Sequence, residues 1–184
     1  ILAGWYGPKQ QAAHQIAITV ASFSYVIFVG LSSASSIKIG ESLGKNDYVE
    51  IKNHGKDAMK ISLVFAFIMF LLLILFKNMI VSLFNTNEEV IQLSSTLLIF
   101  AAFFQFSDAL QALGIGMLRG IQDVRIPTLY TTFAYWIIGI PSGFILAEYL
   151  HLKVFGIWTG FIICLSVSAF LLIWRFKRMV QNSL

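Results

Sequence analysis

The chain has 184 residues, is 58% hydrophobic and only 12% charged, and has a mean hydropathy of +0.79, which is too apolar for an ordinary soluble domain. The formal net charge is +4, and the single cysteine, Cys164, lies inside an apolar run. This composition argues against a disulfide framework, a cysteine-rich metal site and a nucleic-acid partner, and it predicts an integral membrane protein.

Five apolar segments follow one another, and each is long enough, with its flanks, to cross a bilayer. They lie at about 12–37, 58–76, 90–118, 126–147 and 154–174, and residues 1–8 resemble the end of a further span whose body would precede Ile1. The uncharged runs are too long, and too poor in strict alternation, for the strands of a membrane barrel. We therefore predict an all-α, polytopic transmembrane helix bundle that forms one unit over residues 1–184.

The ends of the predicted helices carry local signals. Asp47-x-x-Glu50 is typical of a capped helix start before the second span, and Thr86-x-x-Glu89 repeats the pattern before the third. Pro127 lies near the first turn of the next helix, where its missing N–H costs least.

The distribution of basic residues indicates the orientation. Alternate loops separate ten Lys and Arg from three, and the side with more basic residues is expected to be cytoplasmic. The C-terminus and the loops at 38–60 and 119–125 are therefore predicted to be cytoplasmic. The ten are Lys38, Lys45, Lys52, Lys56, Lys60, Arg119, Arg125, Arg175, Lys177 and Arg178, and the three are Lys9, Lys77 and Lys153.

One acid interrupts the third span. Asp108 is the only charged residue between Val90 and Leu118, and it lies roughly 16 Å from Arg119 along a helix, near the middle of the hydrocarbon layer. Because a carboxylate there is costly, it is expected to face protein or water and to mark an ion or proton path. Gln105 and Gln111 share its face and are expected to hydrogen-bond the carboxylate or its water. The opposite side is predicted to face lipid and carries Phe103, Phe106, Leu110, Leu113 and Met117.

Two further polar stripes suggest a common wet cavity around Asp108. The alternative for each single Ser or Thr is a hydrogen bond across helices or back to its own helix. The stripe of the first span contains Gln15, Thr19, Ser22 and Ser33 with Tyr25 on its flank, and that of the fourth contains Thr128, Thr131, Thr132, Tyr135, Gly139 and Ser142.

Pairs of glycines at small-xxx-small spacing indicate close helix approach. Gly139 and Gly143 flank Pro141, which removes a backbone hydrogen bond inside the fourth span. A hinge at Pro141 is one interpretation and helix packing is the other. The remaining pairs are Gly116 with Gly120 and Gly156 with Gly160.

His14 stands alone near the predicted outer face. No second His, Cys or acid lies at metal-ligand spacing from it, so a structural hydrogen bond is expected. Trp158 and Trp174 lie near opposite ends of the last span, as interfacial tryptophans often do.

The sequence contains no G-x-S-x-G, H-E-x-x-H, P-loop or dinucleotide fingerprint, and we predict that the protein is not an enzyme. The residues alone leave three classes open: a secondary transporter, a channel subunit and a lipid-facing flippase.

Four stretches carry a family resemblance. The sequences AAHQIAITVASFSYVIFVGLSSASSIKIGESLG at 12–44, FQFSDALQALGIGMLRGIQD at 104–123, YWIIGIPSGFIL at 135–146 and GIWTGFIICLS at 156–166 resemble the C-terminal lobe of the multidrug and toxic compound extrusion (MATE) family, most like its NorM-type members. The resemblance implies helices seven (its end) to twelve of a twelve-helix antiporter that exports organic cations or amphipathic drugs by alternating access. Its coupling ion would be Na⁺ or H⁺, with no other cofactor.

The resemblance also implies roles for individual residues. Asp108 matches the family's cation-coupling acid on the tenth helix, and Tyr25 matches an aromatic position near it on the eighth. Phe104 stands where some NorM-type members carry a Tyr, and the family's partner acid on the seventh helix would precede Ile1, so the choice between Na⁺ and H⁺ stays open. The expected coupling site is Asp108, Tyr25 and Gln105, and the expected substrate cavity is lined by Gln15, Thr19, Ser22, Phe104, Gln111, Thr131 and Tyr135.

The favoured function is a drug/cation antiporter of the bacterial inner membrane, whose partners are its N-terminal lobe, membrane lipid and the exported cation. A lipid-linked saccharide flippase is the near alternative, and a cation channel subunit is the remote one. A flippase would be expected to line its cavity with basic residues, whereas these spans bury an acid. A channel would need a filter loop, and none is visible.

The orientation can be tested by cysteine labelling in a Cys164→Ala background. A cysteine at position 153 is expected to react with a membrane-impermeant maleimide added outside intact cells, and a cysteine at position 52 is expected to react only after permeabilisation. Labelling at 52 without labelling at 153 would reverse the predicted orientation.

Overall fold

The computed structural model describes the backbone of residues 2–182 and the side chains of residues 3–181. All regular structure in these residues is helical, which confirms the predicted all-α class. The helices are α1 (Leu2–Trp5), α2 (Pro8–Gly44), α3 (Tyr48–Ser82), α4 (Glu88–Gly120), α5 (Arg125–Phe133), a π-helical segment (Ala134–Gly139), α6 (Ile140–Glu148) and α7 (Val154–Asn182).

Each predicted apolar segment corresponds to a helix long and apolar enough to cross a membrane, and the described residues contain five of these. The fourth is continuous from Arg125 to Glu148 and combines α5, the π segment and α6. Several helices extend well past their apolar runs, since α2 has 37 residues and α3 has 35. The protein is therefore a multi-pass membrane protein. The short α1 lies in the segment predicted to end a further span.

The helix starts confirm one capping prediction and correct another. Asp47 is the N-cap of α3, and its carboxylate accepts a hydrogen bond from the Glu50 backbone N–H at 2.8 Å. The N-cap of α4 is Asn87, not Thr86, and its side-chain oxygen accepts from Glu89 and Val90. Asn caps as well as Thr does, and here it is the residue adjacent to the first helical turn.

The helix α4 is the centre of the bundle, because it packs against α2, α3 and α7. Phe103 is 54% exposed, in agreement with a lipid-facing side. Leu113 and Met117 were expected on that side too, but both are fully buried in a cluster with Leu172 and Phe176 of α7. The prediction was wrong for these two residues because α7 covers part of the apolar side of α4.

Glycines mark the closest helix contacts. A Cβ atom placed on Gly160 of α7 would lie 2.5 Å from the Cα of Gly143, and one on Gly156 would lie 2.4 Å from the backbone nitrogen of Ala147. Since real Cβ atoms do not approach backbone so closely, these glycines allow α6 and α7 to touch. Packing therefore accounts for the predicted small-xxx-small pairs in these two helices.

The π-helical segment ends at Gly139, two residues before Pro141. A π turn changes the hydrogen-bond register and often lies at a functional position. Gly139 also packs closely, because a Cβ there would lie 2.7 Å from the Cβ of Cys164. The regular α-helical ladder is thus interrupted beside the predicted hinge of Gly139, Pro141 and Gly143, and motion at this point stays a prediction.

The contact between α6 and α7 predicts a difference between two glycine substitutions. Gly160→Ala should lower the free energy of unfolding by roughly 1–3 kcal/mol, because the new methyl group must push α6 and α7 apart. Gly30→Ala should cost nothing, since a Cβ at Gly30 meets no atom within 4 Å. Denaturant titration of both variants in the same detergent measures the difference, and equal stability of the two would contradict the packing role of Gly160.

Candidate cation-binding site

Asp108 lies on the central helix and is buried. Its exposed fraction is 4%, and its Oδ2 atom has no hydrogen-bond partner among the described residues. The described residues also contain no group of three or more His, Cys, Asp or Glu side chains placed to hold a metal ion. Within α4, Asp108 is the only charged residue between Glu89 and Arg119.

The two glutamines that flank Asp108 behave differently from each other. Gln111 donates from Nε2 to the Ser168 hydroxyl at 3.2 Å and shares a hydrogen bond of 3.2 Å with the Tyr135 hydroxyl. Gln105 is fully buried, and neither atom of its amide has a partner in the described part of the chain. Neither glutamine bonds the carboxylate directly in the described residues, and Gln111 instead bonds α7 and the π segment. A bond through water stays a prediction.

Tyr135 links the π segment to α4, because its hydroxyl shares a hydrogen bond with Gln111, one turn beyond Asp108. Tyr25 is 49% exposed and leaves its ring accessible from outside the bundle. A buried carboxylate together with an accessible tyrosine ring suits a cation that has an aromatic or apolar body.

The predicted polar stripes contribute little to this site through hydrogen bonds. Thr19 donates to the Gln15 carbonyl, Ser22 to the Ile18 carbonyl and Thr131 to the Pro127 carbonyl, each at 2.8 Å. These bonds run back to the helix's own backbone, as the alternative interpretation expected. A role for Gln15, Thr19, Ser22 and Thr131 in lining a cavity stays a prediction.

Aromatic packing lies next to the site. Trp158 is fully buried and donates from Nε1 to His14 Nδ1 at 3.2 Å, so His14 has the structural hydrogen bond expected of it. Trp158 was expected at the membrane interface, but it packs edge-on against Phe104 and Phe161 in the core. Phe104 thus packs against an aromatic neighbour.

A cavity of about 310 Å³ opens between α2, the π segment, α6 and α7. Tyr135, which bonds Gln111 of α4, lies in its wall, and the wall is otherwise mainly apolar. The lining residues are Ala3, His14, Tyr135, Gly139, Ile140, Gly143, Ile157, Phe161 and Cys164.

Sequence reasoning missed two residues that lie in or beside this region. Ser168 of α7 bonds Gln111, and Ser24 of α2 is fully buried with an unpartnered hydroxyl in the described chain. Each serine follows another serine by two positions, Ser166 and Ser22 respectively, in an otherwise mainly apolar run. Only their position relative to α4 distinguishes them from serines that bond their own helix.

Comparison with known proteins identifies the family. Residues 1–145 match the MatE family, and the chain belongs to it. A probable multidrug resistance protein NorM from Bacillus cereus is 40% identical over 94% of this chain and 39% of its own length. One from Rhodopseudomonas palustris is 35% identical over 94% of this chain and 37% of its own length. The chain thus spans about two-fifths of the length of these relatives.

Solved structures share the fold. An outward-facing multidrug resistance MATE family transporter of the MOP superfamily matches with a TM-score of 0.90 at 18% identity, over 100% of this chain and 41% of that one. The eukaryotic MATE transporter AtDTX14 matches with a TM-score of 0.84 at 22% identity, over 96% of this chain and 41% of that one. The predicted resemblance to the C-terminal part of a MATE-type bundle is confirmed at the level of family and fold.

The hydrogen bonds of Gln111 predict a measurable coupling. In a double-mutant cycle of Gln111→Ala with Tyr135→Phe, the coupling energy should be about 1 kcal/mol, because one hydrogen bond is shared. The matched control is Gln111→Ala with Tyr25→Phe, whose effects on unfolding free energy should add. Additive effects for Gln111 with Tyr135 would show that their bond does not contribute to stability.

Proposed function

We propose that the chain is the C-terminal lobe of a secondary active antiporter, which exports organic cations or amphipathic drugs in exchange for Na⁺ or H⁺ by alternating access. Membership in the MatE family supports the class. The names of the NorM relatives, which are multidrug resistance proteins, support drugs as the cargo.

The observation that carries the proposal is the burial of Asp108 on a membrane-crossing helix. An ionised carboxylate at mid-membrane costs roughly 2.5 to 3.5 kcal/mol on insertion scales, and the described part of α4 offers it no basic partner between Glu89 and Arg119. A bound proton, Na⁺ or cationic drug would each remove this cost. Because all three would use the same carboxylate, binding of one would release another, and this competition is the basis of exchange.

The cavity beside Tyr135 suits the body of such a cargo. It is apolar for most of its wall, and His14 and Tyr135 supply polar edges. Tyrosine rings attract cations through their faces, so Tyr135 and Tyr25 would bind a cation on its way to or from Asp108.

Alternating access requires a part that moves. The π segment at Ala134–Gly139 followed by Pro141 interrupts the regular ladder of the span that carries Tyr135. Bending there would move Tyr135 relative to Asp108 and change which side the cavity opens to. Gly139, Pro141 and Gly143 are the proposed hinge.

We also propose a bacterial inner membrane location with a cytoplasmic C-terminus. The exposed Lys52, Lys56 and Lys60 on the polar first part of α3 support the orientation, since basic residues concentrate on the cytoplasmic side. The C-terminal residue Leu184 lies outside the described residues. The partner is the N-terminal lobe that the family resemblance implies, with membrane lipid around both.

The proposal predicts the effect of removing one charge. Asp108→Asn keeps the shape of the side chain and should abolish ion-driven efflux of a fluorescent organic cation from vesicles that contain the whole transporter. Insertion and expression should be nearly unchanged, because the neutral amide is cheaper to bury.

Gln111→Ala is the matched comparison one turn away. It removes the bonds to Tyr135 and Ser168 but keeps the carboxylate, so efflux should weaken without losing its dependence on the ion gradient. Wild-type coupling in Asp108→Asn would reduce Asp108 to a structural acid.

A further inference from the structure

The contact between the C-terminal halves of α2 and α4 has a defined register. Ser32 donates from Oγ to the Ala112 carbonyl at 2.6 Å. A Cβ atom on Gly116 would lie 2.3 Å from the Ser32 carbonyl oxygen, and one on Gly120 would lie 2.8 Å from that of Ser36. Ala112, Gly116 and Gly120, at intervals of one turn, therefore form the stripe of α4 that faces α2.

Towards the N-terminus of α4, the same stripe continues to Asp108. One turn before Ala112 is Asp108, and Gln105 follows on the same face. On α2, Phe28 belongs to one buried cluster with Ala109 and Ala112. The two helices cross the membrane in the same direction. One turn earlier on α2, Ser24 takes the position of Phe28. One turn earlier on α4, Gln105 and Asp108 take the positions of Ala109 and Ala112.

All three residues have buried hydrogen-bonding atoms without a partner, a property that Ser62, Ser94 and Ser95 share in residues 3–181. Ser24 and Gln105 are fully buried, and Asp108 is 4% exposed. The Ser24 hydroxyl, both amide atoms of Gln105 and Asp108 Oδ2 are all without partners in residues 3–181. Each such atom costs roughly 1–3 kcal/mol when buried, so their meeting on one helix contact points to a shared interaction.

We infer that Ser24 is the partner of Asp108 on α2, and that a rotation of these side chains or one shared water molecule joins Ser24, Gln105 and Asp108 into one polar cluster. A buried water needs two to four polar partners, which this cluster offers. The inference deepens the proposed function and rests on it for any consequence in transport. Ser24 is a positioning residue that acts through the carboxylate.

The cluster can satisfy both charge states of the acid. When ionised, Asp108 accepts from the Ser24 O–H and the Gln105 N–H. When protonated, its own O–H donates to Gln105 Oε1 and its carbonyl oxygen still accepts from Ser24. The Ser22 hydroxyl cannot take this part, because it is exposed and bonds the Ile18 carbonyl.

Infrared difference spectroscopy on the whole transporter in lipid tests the inference. The carbonyl stretch of protonated Asp108, recorded at acid pH, is identified as the band that Asp108→Asn removes. In Ser24→Ala this band should move to higher wavenumber, because a hydrogen bond to the carboxyl group is lost. Ser24→Cys keeps the size but donates weakly, so it should move the band in the same direction, and Ser24→Thr should return it towards the wild-type position.

Ser32→Ala is the matched control, because Ser32 lies two turns along the same face of α2 and already donates to Ala112. It should leave the band in place. An unmoved band in both Ser24→Ala and Ser24→Cys would overturn the inference. That failure is distinct from failure of the proposed function. If Asp108→Asn abolishes efflux but the Ser24 variants leave the Asp108 band unmoved, the transporter role stands and only the cluster is rejected.

Discussion

Asp108 can lie in the middle of a membrane-crossing helix because protein surrounds that helix. Helices α2, α3 and α7 pack against α4, and Asp108 is 4% exposed among them. The close approach depends on small residues, since side chains larger than those of Gly116 and Gly120 would hold α2 away. Without that approach the carboxylate would meet hydrocarbon, and its burial would be too costly to persist.

Hydropathy predicted the spans well because the chain must satisfy its backbone inside each apolar segment. Local chemistry predicted the Asp47 cap, because the bonded Glu50 N–H is only one turn away. The partner of His14 is Trp158 on another helix, so the sequence indicated the bond without indicating the partner. The errors at Leu113, Met117 and Trp158 share a different cause. Lipid and the protein core are equally apolar, so periodicity does not show which apolar face another helix covers.

The site was predicted only in part, for a related reason. A buried charge inside an apolar run is conspicuous, and Asp108 was found from that alone. Serines are not conspicuous, because a hydroxyl can bond its own helix and then needs no partner. Ser22 and Ser24 look alike in the sequence, and only the packing of α2 separates an exposed hydroxyl that bonds its own helix from a buried one without a partner in the described residues.

The π-helical segment changes how the fourth span should be interpreted. A run of π-helical turns accommodates about one residue more than an α-helix of equal height, which rotates everything beyond it by about 100°. Residues before Ala134 and after Gly139 therefore do not share one face, although a single helical period would align Thr128 and Thr131 with Ser142. Shortening this segment by one residue would restore a uniform α-helix and turn Tyr135 relative to α6. The hydrogen bond between Tyr135 and Gln111 therefore depends on the one additional residue that the π turns accommodate.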